Sequence, residues 1–524
     1  MKICANARID ARDELISRLN LPEPLADTEL ILAAYEAWGD DCVKHLIGDF
    51  AFAIWDDHRK RLFCARDHFG VKPFFFSQTA DSFNFSSRLN ELRLDPKVSN
   101  TLNDTAIGDY LLFGVNQDQS TTVFKDIQRL PPGHTLTVEN NQIKIQRYWT
   151  PSIPAEIRFR DPDSYVERFS ELLSRAVEDR LRTDRVAVSM SGGLDSTSLA
   201  AIAREHSTVG AFAVVYDTLI PDQERHYSSL VAKHLGILIT HLNADPYSLF
   251  DEQVSGDMDQ PEPFLISPLT AQFHNLLRLC ADFAPVALTG YDGDSFMNEP
   301  RISIRTRISR MLRKNDYDRF FPEWIDESFA SRTNLRERYK QFWIKPAVGK
   351  RPAAMSALNS KIWTSLFEGY DPGATRLNLE MRHPFIDLRL VEYLLAIPAV
   401  PWCVNKHILR RAMQDKLPAS VVNRPKTGLI TDPALQLVRR ASVRWLDSFE
   451  VSPQLRAFVN LDRRRSVVEE DTADALWASL RVYALNYWLT NSQAYVRRKS
   501  ETRGEQMQDH NRRNCLKMET MHGT

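Results

Sequence analysis

The stretch Val186-Ala187-Val188-Ser189-Met190-Ser191-Gly192-Gly193-Leu194-Asp195-Ser196-Thr197-Ser198 constrains the fold more than any other. An apolar, β-branched run enters a Ser-Gly-Gly turn and a helix-forming segment, Leu199 to Glu205, leaves it. The turn is therefore expected between a strand's carboxyl end and a helix's amino end. Two adjacent glycines let backbone N–H groups approach a ligand with no Cβ in the way, and the helix start adds unpaired donors and partial positive charge. The expectation is an anion site suited to phosphate. Ser191, Ser196 and Thr197 supply hydroxyls, and Asp195 is placed to hold a Mg2+ that bridges phosphate oxygens. The Gly-Lys-Ser/Thr signature of the usual nucleotide loop does not occur here.

Flanking patterns extend this unit into a layered fold. Ser164 to Leu181 reads as helix, Arg185 to Met190 as strand, Leu199 to His206 as helix, Val209 to Tyr216 as strand and Tyr227 to Leu235 as helix. Ile237 to Leu242 and Val286 to Thr289 read as further strands, and later segments as mainly helical. Such alternation implies a parallel sheet with ligands at its carboxyl edge. Upstream, Asp27 to Trp38 spaces Leu30, Ile31, Ala34 and Tyr35 along one helix face behind an Asp27 cap. Phe50 to Trp55 and Arg61 to Ala65 form a hairpin across Asp56-Asp57-His58-Arg59. The polar, Pro-containing stretch 151–163 is expected to link a first domain, 1–150, to a second, 164–498, and the polar tail 499–524 to remain mobile. More than one domain is required in any case, because single cores rarely grow beyond about 250 to 300 residues.

A formal net charge of −1, from 67 basic and 68 acidic residues, gives no electrostatic reason to expect nucleic acid or an anionic membrane. Cys4, Cys42, Cys64, Cys280, Cys403 and Cys515 show no CxxC pairing, which suits a reducing cytoplasm and no structural zinc. No uninterrupted apolar stretch reaches the roughly eighteen residues of a membrane span. A cytoplasmic location is expected.

Motifs in order along the chain now point to a family. Gly48-Asp49-Phe50-Ala51-Phe52-Ala53-Ile54-Trp55-Asp56, Ala65-Arg66-Asp67, Gly70-Val71-Lys72-Pro73 and Leu130-Pro131-Pro132-Gly133-His134 resemble the N-terminal domain of glutamine-dependent asparagine synthetases. The Ser191 to Ser196 loop, Leu288-Thr289-Gly290-Tyr291-Asp292-Gly293-Asp294, Arg382-His383-Pro384-Phe385-Ile386-Asp387 and Asn423-Arg424-Pro425-Lys426-Thr427-Gly428 resemble the synthetase domain. The resemblance implies an α/β fold: a parallel-sheet ATP-pyrophosphatase domain with helical additions, preceded by a degenerate α+β domain of the N-terminal-nucleophile-hydrolase type. That hydrolase needs a cysteine directly after the initiator Met, where this chain has Lys2. Residues Met1 to Leu15 look like a strand from the middle of the family's domain, so Cys4 is expected to be a buried structural residue and ammonia is not expected to be made from glutamine.

By the same resemblance, ATP and Mg2+ are the cofactors, with Ser189, Ser191, Gly192, Gly193, Leu194, Asp195, Ser196 and Gly290 around the nucleotide and Asp195 and Asp294 on the metal. Lys426 is implied as the residue that stabilises negative charge at phosphorus and at the tetrahedral carbon. Tyr291 stands where asparagine synthetases carry Glu, and resembles the tyrosine of β-lactam synthetases, which works with a glutamate to deprotonate an internal amine. A count back from Pro384 and Asp387 places that glutamate at Glu368. Asp387 is expected to cap a helix or brace the sheet, with Arg382 as its partner, and Arg66-Asp67 to serve folding.

These features resemble most the macrolactam synthetases of lasso-peptide pathways, AMP-forming amide ligases that join an Asp or Glu side chain of a precursor peptide to that peptide's own α-amino group. A precursor peptide, a leader-binding protein and a processing protease are the partners this implies. An asparagine synthetase using free ammonia or a partner glutaminase, a β-lactam synthetase, and a silent scaffold are the alternatives.

Overall fold

The computed structural model describes residues 1–22, 24–251, 258–299, 321–344, 350–425 and 429–492. The first half is built on antiparallel sheets. Strands β1 (Lys2–Asp10), β2 (Ile47–Asp56), β3 (Arg61–Arg66), β7 (His134–Glu139) and β8 (Gln142–Arg147) form one sheet in the order β1-β2-β3-β7-β8. Three short strands, β4 (Phe75–Gln78), β5 (Phe83–Ser86) and β6 (Gln128–Arg129), form a second, β5-β4-β6. The helix Asp27–Trp38 packs Leu30, Ile31, Ala34 and Tyr35 on the larger sheet, and begins one residue beyond its cap, Ala26. The β2–β3 hairpin turns where the polar tetrad stands.

Cys4 is exposed rather than buried. Side chains alternate between faces of a strand. In β1, Ile3, Ala5 and Ala7 pack against the helical core, so Cys4 falls on the other face.

The second half contains five parallel strands. β9 (Arg185–Ser189), β10 (Thr208–Val215), β11 (Leu238–Asn243), β12 (Val286–Thr289) and β13 (Glu380–Arg382) lie in the order β11-β10-β9-β12-β13. β13 lies within the region read from the pattern as helical. A three-residue strand carries too little alternation to show. The helix after β9 runs Leu194–Ala203, five residues earlier than its apolar pattern suggests. The first turn is polar, so apolar spacing does not report it, and its hydroxyls turn back on the helix: Thr197 Oγ1 donates to the Gly193 carbonyl at 2.8 Å and Ser198 Oγ to that of Leu194 at 2.6 Å. Residues 473–492 are helical, and none of the described helices is long and apolar enough to cross a membrane.

Packing does not follow the division at residue 150. Leu89, Ile107, Leu111 and Phe124 share a core with Phe321, Phe329, Leu455, Val482 and Trp488. The stretch after β8 has no regular element, yet Ile157 N–H donates to the Ala396 carbonyl at 2.9 Å. The tail, 499–524, lies outside the described residues.

Charges join the two halves. Arg180 bridges Asp387 at 2.8 Å and Asp10 at 3.4 Å, and Lys72 Nζ holds Glu380 at 2.7 Å, while within the first half Arg8 Nη1 lies 2.6 Å from Asp49. Asp387 accepts the Arg389 N–H, capping the helix Leu388–Ala396. Its ion partners are Arg180 and Arg389. Arg382 pairs instead with Glu380 at 2.5 Å and donates to the Arg180 and Leu181 carbonyls, because its strand position turns it toward the loop before β9. Arg66 donates to the carbonyls of Gly70, Lys72 and Leu130, and Asp67 accepts the N–H groups of Phe50, Phe69, Gly70, Val71 and Lys72. Both organise the loop after β3.

Burial alone would push the Asp387 carboxyl up, but Arg180 and Arg389 hold it well below the ordinary carboxylate range. Its contribution is complete above the unfolded value of about 3.9 and is lost as pH falls toward the depressed folded value. Asp387→Ala removes the carboxylate that Arg180 and Arg389 share, leaving them Asp10 and Asp179 alone, and should cost about 3–5 kcal/mol at neutral pH, read as a lower urea midpoint. The gap between wild type and variant should narrow when the measurement is repeated near pH 3.

Candidate functional site

The site forms where β9 and β12 end side by side. Thr289 is in register with Ser189, so the turn after each strand emerges at the same edge of the sheet. Ser191 is exposed, Gly192 is buried, and Gly193 caps the helix Leu194–Ala203. Leu194 points its side chain into the core, so it offers the site only backbone. Asp195 and Ser196 occupy the first helical turn, and Ser196 Oγ lies 3.2 Å from Ser191 Oγ.

Missing side chains permit the close approach. A Cβ on Gly290 would lie 2.7 Å from Ser196 N and 3.1 Å from Asp195 Cβ, and one on Gly293 would lie 2.7 Å from Asp195 Cγ. The connecting residue, Asp292, has φ 64°, in the left-handed region, and starts the short helix Gly293–Met297 that carries Asp294.

Asp195 and Asp294 then share one cation. Lys406 Nζ lies 2.5 Å from Asp195 Oδ2 and 2.9 Å from Asp294 Oδ1. The ammonium occupies a place that two facing carboxylates would also offer to Mg2+, and the all-oxygen donor set suits that ion. Among the described residues no group of three or more His, Cys, Asp or Glu converges on a metal position. Mg2+ here would complete its coordination with phosphate and water oxygens. The residues present therefore fit both a triphosphate and its metal.

Three contributors escape the sequence pattern. Lys406 lies outside the motifs quoted above and reaches the site only through the fold. Glu224 Oε2 accepts the Gly192 N–H at 2.6 Å. Arg424 donates to the Gly192 carbonyl at 3.1 Å, stacks over the Tyr227 ring at 3.9 Å and lies 3.5 Å from Glu224. Arg424 sits within a quoted motif, so its proximity to Lys426 in sequence was the available signal. Lys426, Thr427 and Gly428 lie outside the described residues.

Tyr291 and Glu368 are not brought together. Glu368, 5% exposed, is clasped by Arg129 through Nε at 2.9 Å and Nη2 at 3.0 Å, with Arg66 at 3.6 Å. Arg129 also pairs with Glu262. A buried, two-point guanidinium contact satisfies a carboxylate better than a neutral phenol can, and both arginines come from the first half of the chain, where a count along the second could not find them. Tyr291 instead lies edge-on to His383, with ring centroids 6.4 Å apart. Burial first, then Asp292 and Tyr370, raise its pKa well above the ordinary phenol value. At neutral pH it is an uncharged phenol, able to accept a hydrogen bond but not to serve as a resting phenolate base.

Residues 168–490 match the family model described as asparagine synthase, and residues 9–149 that of a glutamine amidotransferase domain. The chain is 28% identical over 462 residues to "Asparagine synthetase [glutamine-hydrolyzing] 3" of Bacillus subtilis, covering 80% of this chain and 73% of that protein. It is 27% identical to "Asparagine synthetase [glutamine-hydrolyzing] 2" of the same organism, covering 76% of this chain and 58% of that one. A "Putative asparagine synthetase [glutamine-hydrolyzing]" of Mycobacterium bovis is 25% identical, covering 77% and 70%.

Gly290→Ala forces a methyl group against the Ser196 backbone. Because active-site displacements of an ångström cost on the order of 100-fold in rate, ATP–pyrophosphate exchange should fall by about that factor while circular dichroism stays native.

Proposed function

The chain belongs to the asparagine synthase family of ATP-dependent carbon–nitrogen ligases, and from that premise we propose that it adenylates a carboxylate and passes the acyl group to an amine of the same peptide. The observation that carries the adenylating half is the facing pair Asp195 and Asp294 around one cation, beside the glycine turn. A carboxylate oxygen attacks the α-phosphorus of ATP and the bond to pyrophosphate breaks. The amine nitrogen then attacks the acyl carbon, the bond to AMP breaks, and one proton leaves the nitrogen.

Mg2+ held by Asp195 and Asp294 would offset charge on the departing pyrophosphate. Ser189, Ser191, Ser196 and the backbone from Gly192 to Leu194 border the phosphate side, with Gly290 closing it. Lys406, which bridges the two aspartates here, would yield that place to Mg2+ and offer its cation to the phosphates. Lys426 is assigned the charge that develops at the acyl carbon. Tyr291, as a neutral phenol, accepts a hydrogen bond from the incoming amine and orients it, while Glu368 acts through the seam between the two halves of the chain rather than as the phenol's partner.

The macrolactam reading takes its support from Tyr291. A tethered amine is already concentrated near the acyl carbon and gains most from orientation. Its substrate is a precursor peptide, with a leader-binding protein and a processing protease as partners. The names of the relatives favour a second reading, asparagine formation, here with ammonia that is free or supplied by a partner glutaminase.

Both readings require labelled pyrophosphate to exchange into ATP in the presence of the acid. A peptide with a free N-terminus and an internal Asp or Glu should yield a product lighter by one water, and aspartate with ammonia should not yield asparagine at a comparable rate. The reverse outcome selects asparagine chemistry, and exchange with neither acid overturns the assignment. Lys426→Ala should reduce product by more than about 100-fold with the fold intact; retained turnover removes Lys426 from the reaction.

A further inference from the structure

With Glu368 held by Arg129, another feature must set the position of Tyr291. Thr289, 5% exposed at the end of β12, has its Oγ1 2.7 Å from Nδ1 of His383, and the same oxygen accepts the Tyr291 N–H at 3.4 Å. His383 is 2% exposed and directly follows β13. The contact therefore crosses between neighbouring strands at the carboxyl edge. The helix Ile362–Tyr370 boxes the imidazole, with Phe367 at 4.9 Å and Tyr370 at 5.7 Å between centroids.

Burial keeps this imidazole neutral, its pKa pushed down to about 3. With the neutral ring protonated on Nε2, Nδ1 accepts the hydroxyl's proton, which leaves a threonine lone pair for the Tyr291 N–H. Gly290, between the two residues, is pinned from the other side by Ser196.

We propose that His383 is a positioning residue for Tyr291, acting through the Thr289 hydroxyl: the imidazole fixes the direction of the hydroxyl, the hydroxyl holds the backbone of residue 291, and the phenol is thereby aimed. Its catalytic meaning rests on the reading of Tyr291 given above, but the relay is measurable without substrate.

Amide hydrogen exchange of the Gly290–Asp292 segment in the full chain, without ligand, tests it. Thr289→Val and His383→Leu should each speed exchange at the Tyr291 amide by about fivefold to tenfold, the scale of one lost hydrogen bond. The double variant should speed it no further. Thr289→Ser keeps the hydroxyl and His383→Asn an acceptor, and both should exchange like wild type. Wild-type exchange in Thr289→Val overturns the proposal even if His383→Leu does not fold, and so does a double variant whose effects multiply. Tyr291→Phe should retain slow exchange. If it also retains amide formation, the catalytic reading of Tyr291 fails while the relay stands.

Discussion

The pairing of β9 with β12 is the constraint on which the site depends. Two strands a hundred residues apart in sequence end in register, and the connections from them leave in different directions, toward β10 on one side and β13 on the other. A crevice opens at such a reversal of strand order. Bare backbone at positions 290 and 293 then brings the turn after β12 against the helix after β9. Any larger residue would hold the two aspartates apart, and with them the single cation they share.

Electrostatics continue the same logic outward. Buried ions are costly unless their charges and hydrogen bonds are satisfied, and here three buried carboxylates and one half-buried one have a guanidinium or ammonium against them: Asp49 with Arg8, Asp387 with Arg180, Glu368 with Arg129, and the half-buried Glu380 with Lys72. Partners come from opposite halves in two of these four pairs, Arg129–Glu368 and Lys72–Glu380, while Arg8–Asp49 lies within the first half and Arg180–Asp387 within the second. The seam thus specifies one relative placement of the halves, which an apolar interface of the same size would define less sharply.

Much of this was legible from the residues. The Ser-Gly-Gly turn, the alternation after residue 164 and the β2–β3 hairpin carry strong local signals, and the strands and helices stand within a few residues of where those signals put them. Other features were hidden for identifiable reasons. β13 is too short for a pattern. Lys406 stands in a turn before the helix His407–Ala412, reads in the sequence like any surface lysine, and acquires meaning only from the carboxylates it meets. Glu368 looked available because Arg129, its partner, lies 239 positions away. The core that residues 89–127 share with the far end of the chain depends on apolar faces that meet helices from there, and no local periodicity reports which faces will meet.

Lys72 grips Glu380 at the first position of β13, the strand that delivers His383 to the carboxyl edge. The amidotransferase-like half therefore works as a keel for the ligase half, whatever chemistry of its own it performs. Stripped of it, β13 would present a glutamate with Arg382 as its remaining partner, and Arg180 would lose its contact to Asp10.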